Sequence, residues 1–493
     1  MSEKTFINPY NFVPLPHTAV ERSEKITKHE RFRGYSGSLT VKLKTLTRLF
    51  IPDRRKDSTR REDVEIKPGV IKQHPHYDKF LENEHGDKII PGSSLKGMLR
   101  SVAETLSNSC FALDTGEFGK HHHGHCTLLP DETGLCICCR IFGYVPAEAK
   151  SAQAKDGETA KALRGRVTFY DAILQPPPEG KTYLEQKAEG YRLKELLTPR
   201  PHHEAFYLDH NSIRGRKFYY HYPAEPKDFI TEKKTHLNCT IHECISPEAE
   251  FKFQIHFENL SAKELGLLLY AICLDGKEKS EASSMAHKIG MAKPLGFGSV
   301  RLSVEEFNLI ENDAAYLDFT QPEKTDKTLK ELLEGYQPDP FLDCGDIYNV
   351  WKFPRTTTLG KVKYPGQQWF NRYKTHLLPA NGELPELDGN NSAEKPDLPR
   401  RKRSKRSQKT TGSTYKLGDK KEPEASSSES SQPPKPAAAE LVVKVLKVEN
   451  PYVFVEIEGA RRKIKCSHWQ VRKGSQIAVQ RNEDGTYEFK EVR

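Results

Sequence analysis

Two glycine-containing segments constrain the fold of this 493-residue chain more than any other feature. The first, IPGSSLKGMLR at 90–100, combines a Pro-Gly turn, two hydroxyl residues able to cap a helix, and a helix carrying Lys96 and Arg100. The second, IGMAKPLGFGSVR at 289–301, is a basic, glycine-spaced loop that leads into an apolar strand. A loop that enters a helix presents free backbone N–H groups and favours an anion such as phosphate, and glycine allows another backbone to approach closely. Together the segments predict a surface that binds phosphate groups.

Hydrophobic periodicity around these segments indicates an α+β fold. Four strands are predicted by alternating or apolar runs, at 37–47, 165–174, 250–259 and 298–307. One helix follows from Leu95 onward with Ser93 or Ser94 as its cap, and another spans 265–272 with Ser261 as its cap. Residues 51–88, rich in charge and histidine, are expected to form a long loop, and 175–235 an insertion. The order β–α–β–insertion–β–α–β predicts a ferredoxin-like unit.

Composition sets the other domain boundaries. The core is expected to span 1–330, followed by a helical or irregular extension at 331–385. Residues 386–439 contain almost nothing apolar, which predicts a disordered linker. Five short alternating runs in 440–493, with an Asp-Gly turn before the last, predict a small β-barrel of the OB or S1-like kind, a frequent RNA-binding module.

Charge is concentrated in the linker. Seven of the cations behind the net charge of +9 lie within 400–409, so the remainder of the chain carries only about +2. This basic run is typical of a nuclear-localisation signal, an RNA tether or a solubilising linker. The rest of the chain can recognise RNA only through a local patch. No apolar run reaches the ~18 residues of a membrane span, and the N-terminus lacks the order of a signal peptide. We therefore expect a soluble, cytoplasmic protein without membrane contact.

Cysteine spacing predicts a structural zinc site. Five of the ten cysteines lie between 110 and 139, too few overall for a disulfide scaffold. His123, Cys126, Cys136 and Cys139 form H-x2-C-x9-C-x2-C, a spacing at which tight turns direct paired ligands at one tetrahedral ion. Cys136 and Cys139, the CxxC pair, are the better-defined half of this ligand set. His121, His125, Cys110 or Cys138 could replace members of the other half, and a surface loop with incidental histidines is the competing interpretation.

The segments together resemble the RAMP superfamily of CRISPR systems, whose RNA-recognition-like proteins bind guide RNA in type III effector complexes. FINPYNFVPLP at 6–16, CRIFGY at 139–144 and IRGRKFYYH at 213–221 carry the same resemblance, which covers roughly residues 6–305. It implies a ferredoxin-like core, a zinc knuckle just before CRIFG, and a role in defence against foreign nucleic acid. It also implies guide RNA, target RNA and other CRISPR effector subunits as partners.

A guide-RNA surface follows from the residues and from the resemblance. Lys96 and Arg100 are four apart and share a helix face. Arg214 and Arg216 flank a glycine beside several aromatic residues, and interleaved cations and rings suit a flexible single strand. The resemblance transfers guide contacts best to the helix and to the loop glycines. The candidate set is Ser93, Ser94, Lys96, Gly97, Arg100, Arg214, Arg216, Lys293, Gly296 and Gly298. A solvated helix face and ordinary strand packing are the competing interpretations.

The resemblance also implies an RNA-cleaving function for one aspartate. In related backbone subunits an aspartate after the first strand cuts target RNA with a divalent ion, here Mg²⁺ or Mn²⁺. Asp53 and Asp57 are the candidates nearest that strand, with Asp63 and Asp78 farther along, unless all four are solvated loop carboxylates. Histidine can also process guide RNA without metal, with His29, His202 and His203 as candidates. A third possible function is that of a stand-alone RNA-binding protein acting through the C-terminal barrel.

Overall fold

The structure is a computed structural model, and it forms two compact units, Met1–Lys405 and Arg406–Arg493. The described residues are 5–27, 33–111, 123–146, 162–196, 204–209, 212–274, 284–311, 328–338, 344–354, 361–373, 378–379, 381–386, 440–449, 452–457, 460–465, 476–481 and 487–492. The predicted basic linker at 386–439 lies almost wholly outside them.

The first unit contains short strands, one dominant sheet and several helices. Its strands are β1 (Thr5–Ile7), β2 (Tyr10–Val13), β3 (Tyr35–Thr45), β4 (Thr59–Lys67), β5 (Val70–Tyr77), β6 (Ile89–Ile90), β7 (Val167–Phe169), β8 (Ala172–Leu174), β9 (Leu184–Arg192), β10 (Leu208–Asp209), β11 (Ser212–Ile213), β12 (Arg216–Tyr219), β13 (Thr240–Ile245), β14 (Glu250–Leu260), β15 (His287–Lys288), β16 (Ser299–Glu311) and β17 (Glu383–Pro385). Its helices are α1 (Gly92–Leu106), α2 (Ile137–Phe142), α3 (Glu204–Tyr207), α4 (Pro226–Phe229), α5 (Ala262–Cys273), α6 (Leu329–Glu334), α7 (Cys344–Trp351) and α8 (Gly366–Arg372).

The dominant sheet is built from the strands that the alternating runs predict. Its order is β15-β16-β3-β14-β8-β6, and β7 also pairs with β14. Leu39, Val41 and Leu43 of β3 are buried, whereas the residues between them are half-exposed, so one face of the sheet packs on the core. The predicted strand at 165–174 is two short strands, β7 and β8, separated by Tyr170 and Asp171.

Two strands, β4 and β5, lie within the expected loop at 51–88. They belong to a four-stranded sheet of order β4-β5-β13-β9. The prediction of a long loop is wrong because β4 and β5 form an antiparallel hairpin that turns at Pro68-Gly69. Most of its residues are exposed on both faces, so no hydrophobic alternation marks the strands. The hairpin joins the rest of the sheet through a parallel β5–β13 ladder of two residue pairs, His76 with Thr240 and Tyr77 with Ile241.

The two long helices begin differently. Ser261 caps α5 as predicted, because its Oγ accepts a hydrogen bond from Glu264 N at 3.2 Å in a capping box. Helix α1 begins after Pro91 without a side-chain cap from Ser93 or Ser94. Instead, Gly92 N donates to Asp171 Oδ1 at 2.8 Å, so an acidic residue from the main sheet stabilises the positive end of the helix.

Two apolar clusters stabilise the first unit. The larger surrounds the main sheet, α1 and α5, and the smaller is aromatic. In the smaller cluster Phe6 contacts Trp369 edge-on at 6.3 Å, and β1 pairs with β17 from Thr5 and Pro385 onward. Residues from the predicted 331–385 extension therefore pack with the N-terminal strands.

The second unit is a five-stranded antiparallel sheet. Its strands are β18 (Glu440–Glu449), β19 (Tyr452–Ile457), β20 (Ala460–Lys465), β21 (Gln476–Arg481) and β22 (Tyr487–Val492), in the order β20-β19-β18-β21-β22. All five predicted runs form strands. Across the described part of both units, every helix is too short or too polar to cross a membrane.

Candidate nucleic-acid interface and metal centre

A cleft of about 670 Å³ joins the two segments that the sequence singled out. The first turns of α1 form one wall, and the loop before β16, together with β12 and β15, forms the others. Its lining includes Ser93, Ser94, Gly97, Lys217, Tyr219, Lys288, Gly290 and Lys293. The structure thus brings together four of the predicted RNA-binding residues, Ser93, Ser94, Gly97 and Lys293, in one concave surface.

Three half-buried lysines line this cleft without a carboxylate partner among the described residues. Lys217 Nζ donates to Tyr207 Oη at 2.8 Å and lies 3.7 Å from the centre of the Tyr10 ring. Lys288 Nζ donates to Ser299 Oγ at 2.9 Å. Burial lowers the pKa of Lys217 to about 7, and burial also lowers the pKa of Lys288 and Lys293. Partly desolvated ammonium groups with no counter-ion are costly, so this arrangement favours an anionic ligand.

The first turn of α1 separates the cleft from a second cationic depression. Ser93 lines both, and the smaller depression, of about 330 Å³, also contains Lys96 and Arg164. Burial first, and then the nearby Arg100, lower the pKa of Lys96. Ser93 and Gly97 are exposed on the helix surface between the two cationic groups. A ligand with repeated negative charges could cross this helix turn and contact both sites.

The glycines of the loop before β16 are required by its own backbone. Gly296 and Gly298 have φ angles of +90° and +78°. A Cβ atom on Gly298 would lie 1.8 Å from Ile289 O, and one on Gly296 would lie 2.6 Å from Ala224 Cβ. These two residues therefore shape the loop that positions Lys293, whatever they contact outside the chain.

Three predicted RNA contacts have internal partners instead. Arg214 donates to Leu378 O, and Arg216 donates to Glu104 Oε2 at 3.0 Å and to Cys110 O at 3.0 Å. Arg100 donates to Glu104 Oε1 at 2.8 Å and to Cys139 Sγ at 3.8 Å. These three arginines thus have partners within the protein, and none of them lines the cleft.

Four buried thiols form the strongest candidate metal centre. The Sγ atoms of Cys110, Cys126, Cys136 and Cys139 all lie within 4.8 Å of one another. Cys110 Sγ is 3.6 Å from Cys139 Sγ and 3.7 Å from Cys136 Sγ. Zn–S bonds of about 2.3 Å in a tetrahedron would place sulfur atoms roughly 3.8 Å apart. The cluster could therefore bind a metal ion.

The cluster differs from the predicted ligand set in one member. Cys110, a possible replacement ligand by sequence, takes the place predicted for His123, whose Nε2 contacts Asn108 Oδ1. Cys138 contacts Ser107 Oγ, His125 stays outside the cluster, and His121 lies outside the described residues. Residues 107–110, directly after α1, were too far from the CxxC pair for local spacing to identify.

Hydrogen bonds within the cluster favour the thiolate at two of its four cysteines. Cys136 N donates to Cys126 Sγ at 3.2 Å, and the Arg100 guanidinium lies beside Cys139. A hydrogen bond with Cys110 lowers the pKa of Cys126 to about 7 and is also the largest cause that lowers the pKa of Cys136. These effects favour the thiolate at Cys126 and Cys136, whereas a hydrogen bond with a neighbouring cysteine raises the pKa of Cys110 and of Cys139.

The two catalytic candidates lie in different environments. Asp53 is fully buried, and its carboxylate accepts from Arg55 N at 3.0 Å and from Arg55 Nε at 2.8 Å. Burial alone would raise the pKa of Asp53, but these hydrogen bonds outweigh it and the pKa is lowered. Asp57 is exposed on a single 3-10 turn, Lys56–Ser58. Of the two, Asp57 is the one whose carboxylate is open to an ion from solvent.

The other candidates are two further aspartates and three histidines. Asp63 is exposed on β4, and Asp78 is paired with Arg60. His29, His202 and His203 fall in ranges that the structure does not describe. Lys217 and Lys288 were missed by the sequence analysis because strand positions carry no sign of a missing counter-ion. The only available signal for Lys217 was its place in the aromatic segment at 213–221.

The family model matches the region of the chain that contains the cysteine cluster and most of the cleft. The RAMP superfamily model matches residues 42–301, somewhat more than half of the chain. The CRISPR system Cms endoribonuclease Csm3 of Methanocaldococcus jannaschii is 32% identical over 112 residues, which are 22% of this chain and 37% of that protein. The alignment therefore spans little more than a third of the relative's length.

Two solved structures are also similar in part. A chain of a type IV-B CRISPR complex is 13% identical, with a TM-score of 0.28 over 60% of this chain and 96% of that chain. Csc2 of Thermofilum pendens is 14% identical, with a TM-score of 0.26 over 65% of this chain and 82% of that one. Both TM-scores are too low to assign the fold of the chain.

Proposed function

The chain belongs to the RAMP superfamily, and from that premise we propose that it is a CRISPR effector subunit that holds guide RNA in the lysine-lined cleft. The observation that carries this proposal is the set of lysines without counter-ions among the described residues, Lys217, Lys288 and Lys293, beside the exposed first turn of α1. RNA supplies one negative charge per nucleotide and so provides the missing partners.

The cleft and the second cationic depression are adjacent, which favours a polynucleotide over a single phosphate as the ligand. Ser93 lines both cationic depressions, with Lys293 on one side and Lys96 and Arg164 on the other. An isolated phosphate would occupy one of them only. A single strand crossing the first turn of α1 would contact both with successive phosphates. Since these contacts are to the backbone, we expect the cleft to grip guide RNA irrespective of its sequence.

The strand order supports the predicted ferredoxin-like core. In the order β16-β3-β14-β8 the first and third core strands lie in the centre, next to each other, and α1 and α5 follow the first and third strands in the chain. We further propose that the Cys110–Cys126–Cys136–Cys139 cluster is a structural zinc site, because four thiols leave no ligand position for water. The second unit is proposed to be an OB-like barrel that adds RNA contacts, and the position of its β18 between β19 and β21 agrees with that topology.

Target cleavage is a second candidate function, and the exposure of Asp57 favours it. A single carboxylate can hold Mg²⁺ or Mn²⁺ near a phosphate, while RNA supplies its own 2′-hydroxyl as nucleophile. Target RNA and neighbouring effector subunits are the partners that this function requires. Cleavage and gripping are compatible, since Asp57 is not among the residues lining the cleft.

A salt titration of guide-RNA binding tests the main proposal. The triple variant Lys217→Ala, Lys288→Ala and Lys293→Ala should bind guide RNA more weakly at every sequence. Each lost phosphate contact should reduce the slope of log K against log salt by about 0.7. Lys330→Ala is the matched control, because Lys330 is an exposed helical lysine outside the cleft, paired with Glu334. An unchanged slope in the triple variant, with native circular dichroism, would contradict the proposal.

A further inference from the structure

A row of three histidines crosses the four-stranded sheet, apart from the lysine cleft and the cysteine cluster. His74 and His76 lie on β5 and His242 on β13, and the His76 ring is 5.0 Å from the His74 ring and 5.8 Å from the His242 ring. Both ring nitrogens of His74 have partners, Thr235 O at 2.8 Å and Thr240 Oγ1 at 2.9 Å. His74 therefore has no ring nitrogen left for another ligand, and only His76 and His242 are considered as ligands.

The position of the proton on neutral His242 follows from the backbone of β9. Its Nδ1 lies 3.1 Å from Ala188 O and 3.3 Å from Lys187 O, and both carbonyls can only accept. Nδ1 therefore carries the hydrogen, and Nε2 has the lone pair. The register between β9 and β13 shifts beside His242, and β-bulges commonly redirect side chains. Gly190 has φ of +71°, and a Cβ there would lie 2.4 Å from Thr240 Cγ2 and 3.1 Å from His242 Nε2, so glycine makes room for both side chains.

The position of the proton on neutral His76 follows from Glu62. Its Nε2 lies 3.1 Å from Glu62 Oε2, so that nitrogen donates to the carboxylate and Nδ1 has the lone pair. His76 Nδ1 and His242 Nε2 face each other at 3.5 Å. When both rings are neutral, two lone pairs at this distance repel unless a proton or a metal ion lies between them. Asp78 Oδ1, 3.7 Å from His242 Nε2, adds a third electron-pair donor on the same side.

A cation from the chain already occupies part of this place. The Arg60 guanidinium donates to both Asp78 oxygens, at 2.6 and 2.7 Å, and lies 3.5 Å from His242 Nε2. The Arg60 side chain is 63% exposed, so it can leave towards solvent. Lys234 pairs with Glu62 on the far side of His76 and does not contact the facing nitrogens.

We propose that His76 Nδ1, His242 Nε2 and Asp78 bind a divalent transition-metal ion, which replaces the Arg60 guanidinium. Metal–nitrogen bonds of about 2.0–2.1 Å in a tetrahedron place two nitrogens roughly 3.4 Å apart, close to the 3.5 Å observed. In metal sites the second ring N–H of a ligating histidine is held by a carboxylate or a carbonyl, as both are here. Imidazole ligands suit zinc, copper, iron and nickel, and zinc also accepts a carboxylate. Among the described residues only the cysteine cluster has three or more ligand atoms already gathered, so this site completes when Asp78 exchanges Arg60 for the ion.

Such an ion would fix the exposed hairpin to the rest of the sheet. Between the hairpin and β13 the ladder has two residue pairs, and His76 and His242 come from the two strands of that ladder. At the hairpin tip Val70 and Ile71 are exposed, at 43% and 64%. Metal binding would thus hold the orientation of this projecting, partly apolar hairpin. This function is separate from the proposed RNA contacts, since none of the three ligands lines the cleft.

Calorimetric titration with Ni²⁺ tests the site in the full-length protein with its cysteine cluster zinc-loaded. All variants should carry His121→Ala and His122→Ala, because the HHHGH run at 121–125 is a competing metal-binding sequence. One equivalent of Ni²⁺ should bind. His76→Ala or His242→Ala should weaken it by about 10-fold or more. His85→Ala, at an exposed histidine, is the control and should change nothing.

Arg60→Ala is the decisive variant, because competition by the guanidinium predicts tighter Ni²⁺ binding while circular dichroism stays that of the parent protein. It should increase Ni²⁺ affinity, and Ni²⁺ should slow amide hydrogen exchange in residues 59–77 of the parent protein. The proposal is overturned if the His76→Ala and His242→Ala double variant binds Ni²⁺ as tightly as the parent. It is equally overturned if Arg60→Ala leaves the affinity unchanged or if no Ni²⁺ binds.

Discussion

Arg100 donates a hydrogen bond to Cys139, with the guanidinium nitrogen 3.8 Å from Sγ. The same side chain binds Glu104 Oε1 at 2.8 Å, and Glu104 also binds Arg216, which reaches the backbone of Cys110. Two arginines whose positions predicted RNA contacts thus surround the cysteine cluster. The helix face that the spacing of Lys96 and Arg100 defines is divided, with Lys96 beside the second cationic depression and Arg100 beside the thiols.

This division predicts opposite phenotypes for two residues one helical turn apart. Arg100→Gln should weaken zinc retention by about 10-fold, because a positive hydrogen-bond donor to a thiolate ligand is lost. The same change should leave the salt slope of guide-RNA binding unaltered. Lys96→Gln should reduce that slope and retain zinc. Chelator competition and salt titration measure the two effects, and equal phenotypes in both assays would contradict the assignment.

The fourth ligand of the cysteine cluster can be identified by a matched pair of substitutions. Cys110→Ser should lower the zinc content well below one equivalent per chain and reduce the Tm, because a thiolate ligand is removed from a closed site. His123→Gln should keep the metal, since the amide can still bond to Asn108. Elemental analysis and thermal unfolding are the measurements. Zinc loss in His123→Gln with retention in Cys110→Ser would restore the set predicted from spacing.

The parts of the fold that could be predicted are those that leave a pattern among residues close together in the sequence. Strands β3, β14 and β16 have one buried face and alternate clearly, and Ser261 is followed at the right spacing by Glu264, so both features were predicted. The hairpin at 59–77 is exposed on both faces and leaves no alternation, although Pro68-Gly69 marked its turn. Even a confirmed strand does not reveal its neighbours in space.

Candidate sites show the same limit. The CxxC pair is local and both its cysteines belong to the cluster, whereas Cys110 comes from a different part of the chain. Arg216 and Glu104 are 112 residues apart, so no sequence window could show that this arginine is neutralised internally. Lys217 and Lys288 present the converse case, because only the fold reveals that they lack a carboxylate partner within the described part of the chain.

The affinity of the cleft for guide RNA should fall at alkaline pH. Burial lowers the pKa of Lys217 to about 7, and a bound phosphate would raise it towards the ordinary lysine value of about 10.4. Binding therefore takes up a proton at Lys217 between these two pKa values, which by itself makes the affinity decline by up to about 10-fold per pH unit above 7.

The pH profile has its own control. Lys217→Arg keeps the positive charge throughout this range, because arginine does not lose its proton, and should make the profile less steep. Any decline that remains belongs to Lys288 and Lys293, whose pKa values burial also lowers. Fluorescence anisotropy of labelled guide RNA from pH 6 to 9 measures both curves. A parent profile that is level across this range, with the protein folded at each pH, would exclude titration of Lys217 on binding.

Substitutions at Asp53 and Asp57 should change different properties: the stability of the protein at Asp53 and RNA cleavage at Asp57. Asp57→Ala should abolish any Mg²⁺-dependent cut of target RNA, since its exposed carboxylate can bind an ion, and should leave the Tm unchanged. Asp53→Ala should lower the free energy of unfolding by about 1 kcal/mol, because the hydrogen bonds from Arg55 to the buried carboxylate are lost. Cleavage of a guide-paired RNA by the assembled complex and thermal unfolding of the isolated chain are the two readouts. If Asp57→Ala cleaves like the parent and stable Asp53→Asn does not, the buried residue is the metal ligand and Arg55 must release it during the reaction.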